Sequence, residues 1–404
     1  MKTLINSLLL VATMVPFNSK AQWTTLNSPT NLALDRAAFP DDATGFVANS
    51  TAKKIFRTTD GGVTWDSIAF TNNVLDIDFI NPDTGFVIIG AGGTSYELKT
   101  TFDKGNTWTT KTITTSGVYL QRVFFTSALV GYVVDYDATV QKTIDGGTTW
   151  AASFIGSYAI ITDKERIDQD TVIMTGWDGT FAYKGAIYRT DNAGGSWQAV
   201  IHDSSYTMYT GTHFLNGMHG YAVYPNWSGS NTVMAKTLDG GVTWSIQTTA
   251  NTGNFQDVFM VNPTRGYIAK EDTVSSLLFS NDGINFTVDY LPAYTVRKFF
   301  SNGNAIWGIG DGGIIVKNAT GNGVVETLQV ESVNVFPNPT TGEVYFNFGK
   351  PAHVTLSDIN GKEILNAKTF PGQKVDMGHL PGGIYVAKIN VEGKIGHAKI
   401  VLNR

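Results

Sequence analysis

One octapeptide recurs along this chain at near-constant spacing. Trp65 closes TTDGGVTW, Trp108 closes TFDKGNTW and Trp150 closes TIDGGTTW. Trp197 closes TDNAGGSW and Trp244 closes TLDGGVTW. A weaker copy, FSNDGINF, ends at Phe286, and Trp23 keeps the phase without a preceding box. From Trp23 onward the intervals are 42, 43, 42, 47, 47 and 42 residues. A second marker keeps step with the first: Phe39 with Gly45-Phe46, Phe79 with Gly85-Phe86, and Phe125 with Gly131-Tyr132. It continues as Phe214 with Gly220-Tyr221 and Phe259 with Gly266-Tyr267. It is blurred between Trp150 and Trp197, and again around Trp307.

A repeat of this period is one supersecondary unit that buries its apolar faces only against its neighbours. Between the markers lie short β-type runs such as Leu75 to Phe79, and no amphipathic helix of ten or more residues. About four short strands fit each unit, which is the pattern of radial blades. Residues 22–318 hold seven registered units, so the expected fold is an all-β, seven-bladed β-propeller. A solenoid or a six-bladed ring are the alternatives. The strand beginning at Trp23 has no box before it, and the last copy, Ile314 to Lys317, has no Trp strand after it. The simplest account is closure: the N-terminal strand completes the last blade and leaves no open sheet edge.

The box runs Thr-x-Asp-x-Gly-x-Thr-Trp. Its Asp can accept hydrogen bonds from turn N–H groups, its Gly permits a positive φ, and its Trp can pack between blades. This assigns structural roles to Asp60 and Trp65, Asp103 and Trp108, Asp145 and Trp150, Asn192 and Trp197, and Asp239 and Trp244. One carboxylate per turn is too few for a strong calcium site, so no metal is assigned. The pattern resembles the Asp-box, or BNR repeat, of sialidases, xyloglucan-cleaving glycosidases and sortilin-like receptors. With G-Y/F-V upstream and seven units, residues 23–318 look most like the photosystem II assembly and stability factor family. That resemblance implies the fold and leaves the function open.

The ends of the chain read differently. MKTLINSLLLVATMVPFNSKA, residues 1–21, has a Lys, an apolar stretch, and Ser19 and Ala21 before Gln22. It reads as a secretory signal peptide. Its removal takes away Lys2 and Lys20, which moves the net charge from −5 to −7. Residues 319–332 read as a linker, and residues 333–404 as a small immunoglobulin-like β-sandwich. The runs FPNPTTG, LSDINGKEI and LPGGIYVAKI resemble the type A C-terminal sorting domain of the type IX secretion system, with Pro337, Asn338, Pro339 and Gly342 in the motif. The resemblance implies passage to the exterior or the outer-membrane surface of a Bacteroidota-type bacterium, with the type IX machinery as partner.

Composition removes other functions. With no Cys there is neither a disulfide nor a thiolate metal site. A pI near 5.7 gives no basic surface for nucleic acid. No later segment has the length of apolar residues needed to span a membrane, no cofactor signature is present, and the chain is expected to be monomeric. Only eight Arg and few Glu are available for sialidase-type chemistry. Polar residues precede the marker phenylalanines, and Asp76 with Asp257 is the carboxylate pair to weigh for glycoside hydrolysis. The assembly-factor resemblance implies an arginine-rich patch for a partner, and Arg36, Arg122, Arg166 and Arg297 are the nearest equivalents. Units four and five add Trp177, Tyr183, Tyr206, Tyr209, Tyr224 and Trp227, aromatics suited to stacking on a sugar or anchoring a protein. A non-enzymatic, secreted or surface-bound propeller that binds an extracellular protein or glycan is the favoured reading. A secreted polysaccharide-active glycoside hydrolase is the alternative.

Overall fold

Each repeat folds as a four-stranded antiparallel meander, and seven such sheets follow one another along the chain. The computed structural model describes residues 23–90, 95–114, 119–137, 139–155, 159–168, 170–178, 184–202, 208–225, 233–249, 251, 253–319, 335–346, 352–358, 362–369, 373–391 and 394–404. Blades 1 to 6 have the inner strands Arg36–Ala38, Asn73–Phe79, Leu120–Phe125, Ala159–Arg166, Gly211–Phe214 and Asn254–Met260. Blade 7 starts with Val296–Ser301 and takes its fourth strand from the other end of the chain. There Trp23–Thr25 pairs antiparallel with Ile315–Asn318, Trp23 opposite Asn318. The fold is therefore an all-β seven-bladed propeller.

Second strands such as Gly85–Gly90 and Gly131–Asp135 are buried throughout, because neighbouring blades cover both of their faces. Outer strands such as Asp66–Ala69 and Ala151–Phe154 are mostly exposed. The Phe/Gly marker has a packing cause. The Phe125 ring lies over Gly131, so that a Cβ there would sit 2.3 Å from the ring, and Phe79 lies over Gly85 in the same way. Phe86 then stacks on Phe125 of the next blade at 3.6 Å, joining blades 2 and 3.

The boxes form the turns between third and fourth strands. In blade 3 the buried Thr143 hydroxyl donates to Asp145 (2.8 Å) and accepts the Gly147 N–H (2.8 Å). Asp145 also accepts from the N–H groups of Thr148 and Thr149 and from the Thr149 hydroxyl. The matching carboxylates Asp60 and Asp103 are held down to about 2, chiefly by the hydroxyls of Thr64 and Thr107. Each turn also ties to its own blade's first hairpin, as in the Gly146 N–H bond to Leu129 O. The phased aromatics pack into the apolar layer toward the preceding blade: Trp108 against Phe46 and Phe79, Trp150 against Leu98 and Phe86, and Trp23 against Tyr267. Trp197 joins the layer between blades 3 and 4, and Trp244 the layer between blades 4 and 5. Thr143→Val leaves the Asp145 carboxylate and the Gly147 N–H each one partner short. It is expected to cost about 1 kcal/mol in chemical denaturation, whereas Thr143→Ser should be nearly neutral.

The C-terminal module has two sheets of its own. Val335–Phe336, Glu343–Phe346 and Lys374–Asp376 form one, and Glu363–Thr369, Ala352–Asp358, Gly383–Val391 and Lys394–Leu402 form the other. Val344, Phe346 and Val375 from the first pack with Val354, Leu356, Ala387 and Ile389 from the second. The sorting motif acts as a clasp on the terminal strand. Asn338 donates to Lys399 O (2.6 Å) and accepts the Val401 N–H (2.9 Å). Pro337 and Pro339 flank that Asn, and Gly342 O accepts the Met377 N–H. Among the described residues no helix is long and apolar enough to cross a membrane.

Candidate functional site: the axial cavity

The inner strands of the propeller surround a cavity of about 730 Å³. A β-bulge places side chains into it. Register shifts fall between Val74 and Asp76, Leu120 and Arg122, Ile161 and Asp163, Phe255 and Asp257, and Val296 and Lys298. An extra residue re-aims the side chain that follows it. The residues after the bulges are Asp76, Arg122, Asp163, Asp257 and Lys298, and all five line the cavity. Arg36 and Gly211 hold the equivalent place, three residues before Phe39 and Phe214, as Asp76 stands before Phe79. Read around the ring, the charges run plus, minus, plus, minus, none, minus, plus. The gap at Gly211 makes room for the next acid, because a Cβ there would lie 1.9 Å from the Asp257 Oδ1.

These carboxylates stitch blade to blade. Asp76 accepts the Val123 N–H (2.9 Å) and Asp78 the Phe125 N–H (2.7 Å). Asp163 accepts the Thr212 N–H (2.8 Å), Glu165 the Phe214 N–H (3.3 Å) and Asp257 the Phe299 N–H (2.6 Å). In every case the donor belongs to the inner strand of the next blade. Cations reach further. Lys164 of blade 4 pairs with Asp76 of blade 2, Arg166 with Asp78 (3.0 Å), and Lys298 of blade 7 with Asp163 of blade 4 (3.0 Å). Arg297 forms a two-pronged pair with Glu271 (2.7 and 3.0 Å) and meets Asp311 at 2.7 Å.

The electrostatics follow from burial and these partners. Burial alone would raise Asp76, but Lys164, Arg122 and Arg36 outweigh it and hold the acid below its ordinary value. Glu165 has the opposite balance: burial, then the Asp163 charge beside it, lifts it to about 8. Burial also raises Asp257. His213 stacks on Phe259 at 4.2 Å and is pushed by burial down to about 4, so it is neutral at pH 7. Burial, and then Arg36, lowers Arg122 to about 10, which leaves it charged.

The four arginines singled out in the sequence all line this cavity. Arg36 and Arg122 stand in the charged ring. Arg166 stands three residues further along its strand than the ring residue Asp163, and Arg297 occupies a bulge position. The aromatics are not gathered in the same way. Tyr209 is fully buried, with Tyr224 edge-on at 5.4 Å, so it is a packing residue and offers no face to a ligand. Trp177 and Tyr224 are half-buried, and Tyr183, Tyr206 and Trp227 lie outside the described residues. Asp76 and Asp257 share the cavity, but each is committed to an N–H of the following blade. Sequence reasoning missed Lys164, Lys298 and Asp163. For Asp163 and Lys298 the signal was a place three residues before the position facing the second strand's first residue, which blade 4 hides by placing Arg166 opposite Val172; Lys164 lies one residue off that place. Among the described residues no group of three or more His, Asp or Glu converges as a metal site.

The family profile of the photosynthesis system II assembly factor YCF48 matches residues 66–220. That of a secretion system C-terminal sorting domain matches residues 334–403. The chain is a BNR-type propeller with a sorting tail. The solved structure of YCF48 bound to D1 peptide is similar at a TM-score of 0.59 and 15% identity, over 74% of this chain and 97% of that one. YCF48 from Cyanidioschyzon merolae gives the same score and identity over 74% and 99%. The GH74 xyloglucanase from Xanthomonas campestris reaches 0.54 at 12% identity, over 93% of this chain and 68% of that one. No curated protein sequence matches the chain. At such identities the likeness establishes the fold of the BNR propeller. Its sorting tail marks an exported protein of the type IX route typical of Bacteroidota.

Proposed function

We propose that this chain is an exported, non-catalytic scaffold whose propeller binds an extracellular protein or glycan. One observation carries the reading. Asp76, Asp78, Asp163, Glu165 and Asp257 each accept a backbone N–H of the next blade, so these carboxyls are tied into the ring's own blade-to-blade bonding. Glycoside hydrolysis needs one protonated carboxyl as acid and one carboxylate as base or nucleophile, both facing the substrate across the scissile bond. The neighbour solved with a bound peptide supports a protein segment as ligand, and the xyloglucanase neighbour supports a glycan. Residues 1–21 would be removed on export, 22–318 would bind, 319–332 would tether, and 333–404 would direct the chain through the type IX machinery.

Two measurements test this. The mature full-length chain should retain ligands on a glycan array or in a pull-down from envelope extracts, and should release no reducing sugar from polysaccharides. Sugar release that disappears in Asp76→Asn or Asp257→Asn would replace the reading with a hydrolase. Deleting residues 333–404 should trap the propeller inside the outer membrane. Its continued appearance at the surface or in the medium would refute the assigned route.

A further inference from the structure

A second, smaller pocket of about 240 Å³ lies among blades 1, 2 and 3. Ser50 comes from the loop between second and third strands, and Asn73 and Tyr119 stand where inner strands begin. These elements lie at the end of the blades opposite the boxes. Arg36 and Arg122 line both this pocket and the axial cavity, so the two guanidinium groups stand between them. Their charges are balanced unequally. Arg36 has the Asp35 and Asp76 carboxylates at 3.5 Å. Arg122 donates only to the carbonyls of Gln121 (2.9 Å) and Thr162 (3.0 Å). Among the described residues no carboxylate lies within 4.0 Å of it. Asp76 and Asp163 act on Arg122 from beyond that distance and are in direct contact with Lys164 and Lys298 instead, so the Arg122 guanidinium is left without a carboxylate in contact.

The walls add a second kind of recognition. Tyr119 is 59% exposed, and the half-buried Tyr136 meets it edge-on at 6.5 Å. Asn73 adds a carboxamide. We propose that this pocket binds a sugar acid, a six-membered ring carrying one carboxylate, with the carboxylate on Arg122 and the ring against Tyr119. A guanidinium fork matches a carboxylate in two parallel hydrogen bonds. An exposed aromatic face accepts the C–H side of a sugar ring while the amide meets its hydroxyls. A guanidinium with no carboxylate in contact offers its fork to one planar carboxylate. The volume of about 240 Å³ suits one ring and a few waters. This ligand goes beyond the scaffold reading, because it occupies a site separate from the axial cavity.

The test is calorimetric titration of the mature full-length chain with galacturonate and glucuronate, with galactose, glucose 6-phosphate and N-acetylalanine as comparison probes. Uronate binding is expected, at least tenfold tighter than galactose or N-acetylalanine. Arg122→Gln should weaken it at least tenfold. Arg122 also bonds blade 4, so Tyr119→Ala, an exposed change that leaves the melting temperature alone, should independently weaken it several-fold. Equal binding of galactose, tighter binding of glucose 6-phosphate, or no uronate heat at high millimolar concentration would overturn the assignment. N-acetylalanine binding as tightly as uronate, with Tyr119→Ala silent, would overturn it in favour of a peptide C-terminus. These outcomes are independent of whether the axial cavity takes a ligand.

Discussion

Trp23→Ala is expected to lower the stability of the whole propeller by about 3–5 kcal/mol, the range for removing a large aromatic from a packed core. Trp23 is only 5% exposed, and its indole lies edge-on to Tyr267 at 5.3 Å and 5.9 Å from Phe299. The strand it starts is hydrogen-bonded to Ile315–Asn318 and closes the ring between the first and last blades. Removing Trp23–Thr25 altogether should do more. It would leave Ile315–Asn318 as an edge strand with free N–H and C=O groups, next to the buried Tyr267 and Ile306. Such an edge invites pairing with another chain. Denaturant titration should therefore show a lower midpoint for the point variant, and light scattering should show association for the truncated one. A midpoint unchanged by Trp23→Ala would mean that blade 7 holds itself together without the N-terminal strand.

The ring was legible because its determinants repeat. Trp, Asp and Gly return in the boxes because these turns solve the same hydrogen-bonding problem, and Phe with Gly returns because in blades 1, 2, 3 and 5 the Phe ring closes over that Gly, a place Met260 takes over Gly266 in blade 6. The axial charges repeat by position but not by residue type. Arg36, Asp76, Arg122, Asp163, Asp257 and Lys298 share a register, yet differ in sign, and a one-residue bulge moves all but Arg36 off the face that simple alternation assigns. Blade 4 obscures the register further, since Arg166 stands where blades 2, 3 and 5 have Phe, and blades 6 and 7 carry Met260 and Ser301 there. Selecting Arg36, Arg122, Arg166 and Arg297 by type found residues that converge. It did not show that carboxylates from other blades already hold three of them. Aromatic density was a weaker guide, because Tyr209 serves packing and not exposure. In the tail, Lys374–Asp376 was missed as a strand: only Val375 of its three residues faces the core.

The same crowding of acids makes stability depend on pH through Glu165. In the folded chain burial and Asp163 lift this carboxyl from 4.5 to about 8, so the native state keeps a proton that the unfolded chain surrenders near 4.5. A raised acid favours folding fully below its unfolded pKa, and that advantage is lost as pH rises through the folded value. Stability should thus fall between about pH 4.5 and 8 from this group alone. His213 acts in the other direction: its value of about 4 costs stability as pH drops below 6.5. Glu165→Gln removes the first slope and keeps an oxygen to accept the Phe214 N–H. Between pH 5 and 8.5 the wild-type chain should lose on the order of 2 kcal/mol that the variant retains, a figure reduced from the full shift because the side chain borders a water-accessible cavity. Denaturation midpoints for both chains, measured across that interval, give the difference directly, and the titrations of groups that do not interact with Glu165 cancel in it. Parallel profiles would show that Glu165 ionises as an ordinary carboxylate in the folded chain. Divergence above pH 6 would place a bound proton at the centre of the ring, where it relieves the repulsion among Asp163, Glu165 and Asp257 at the axis.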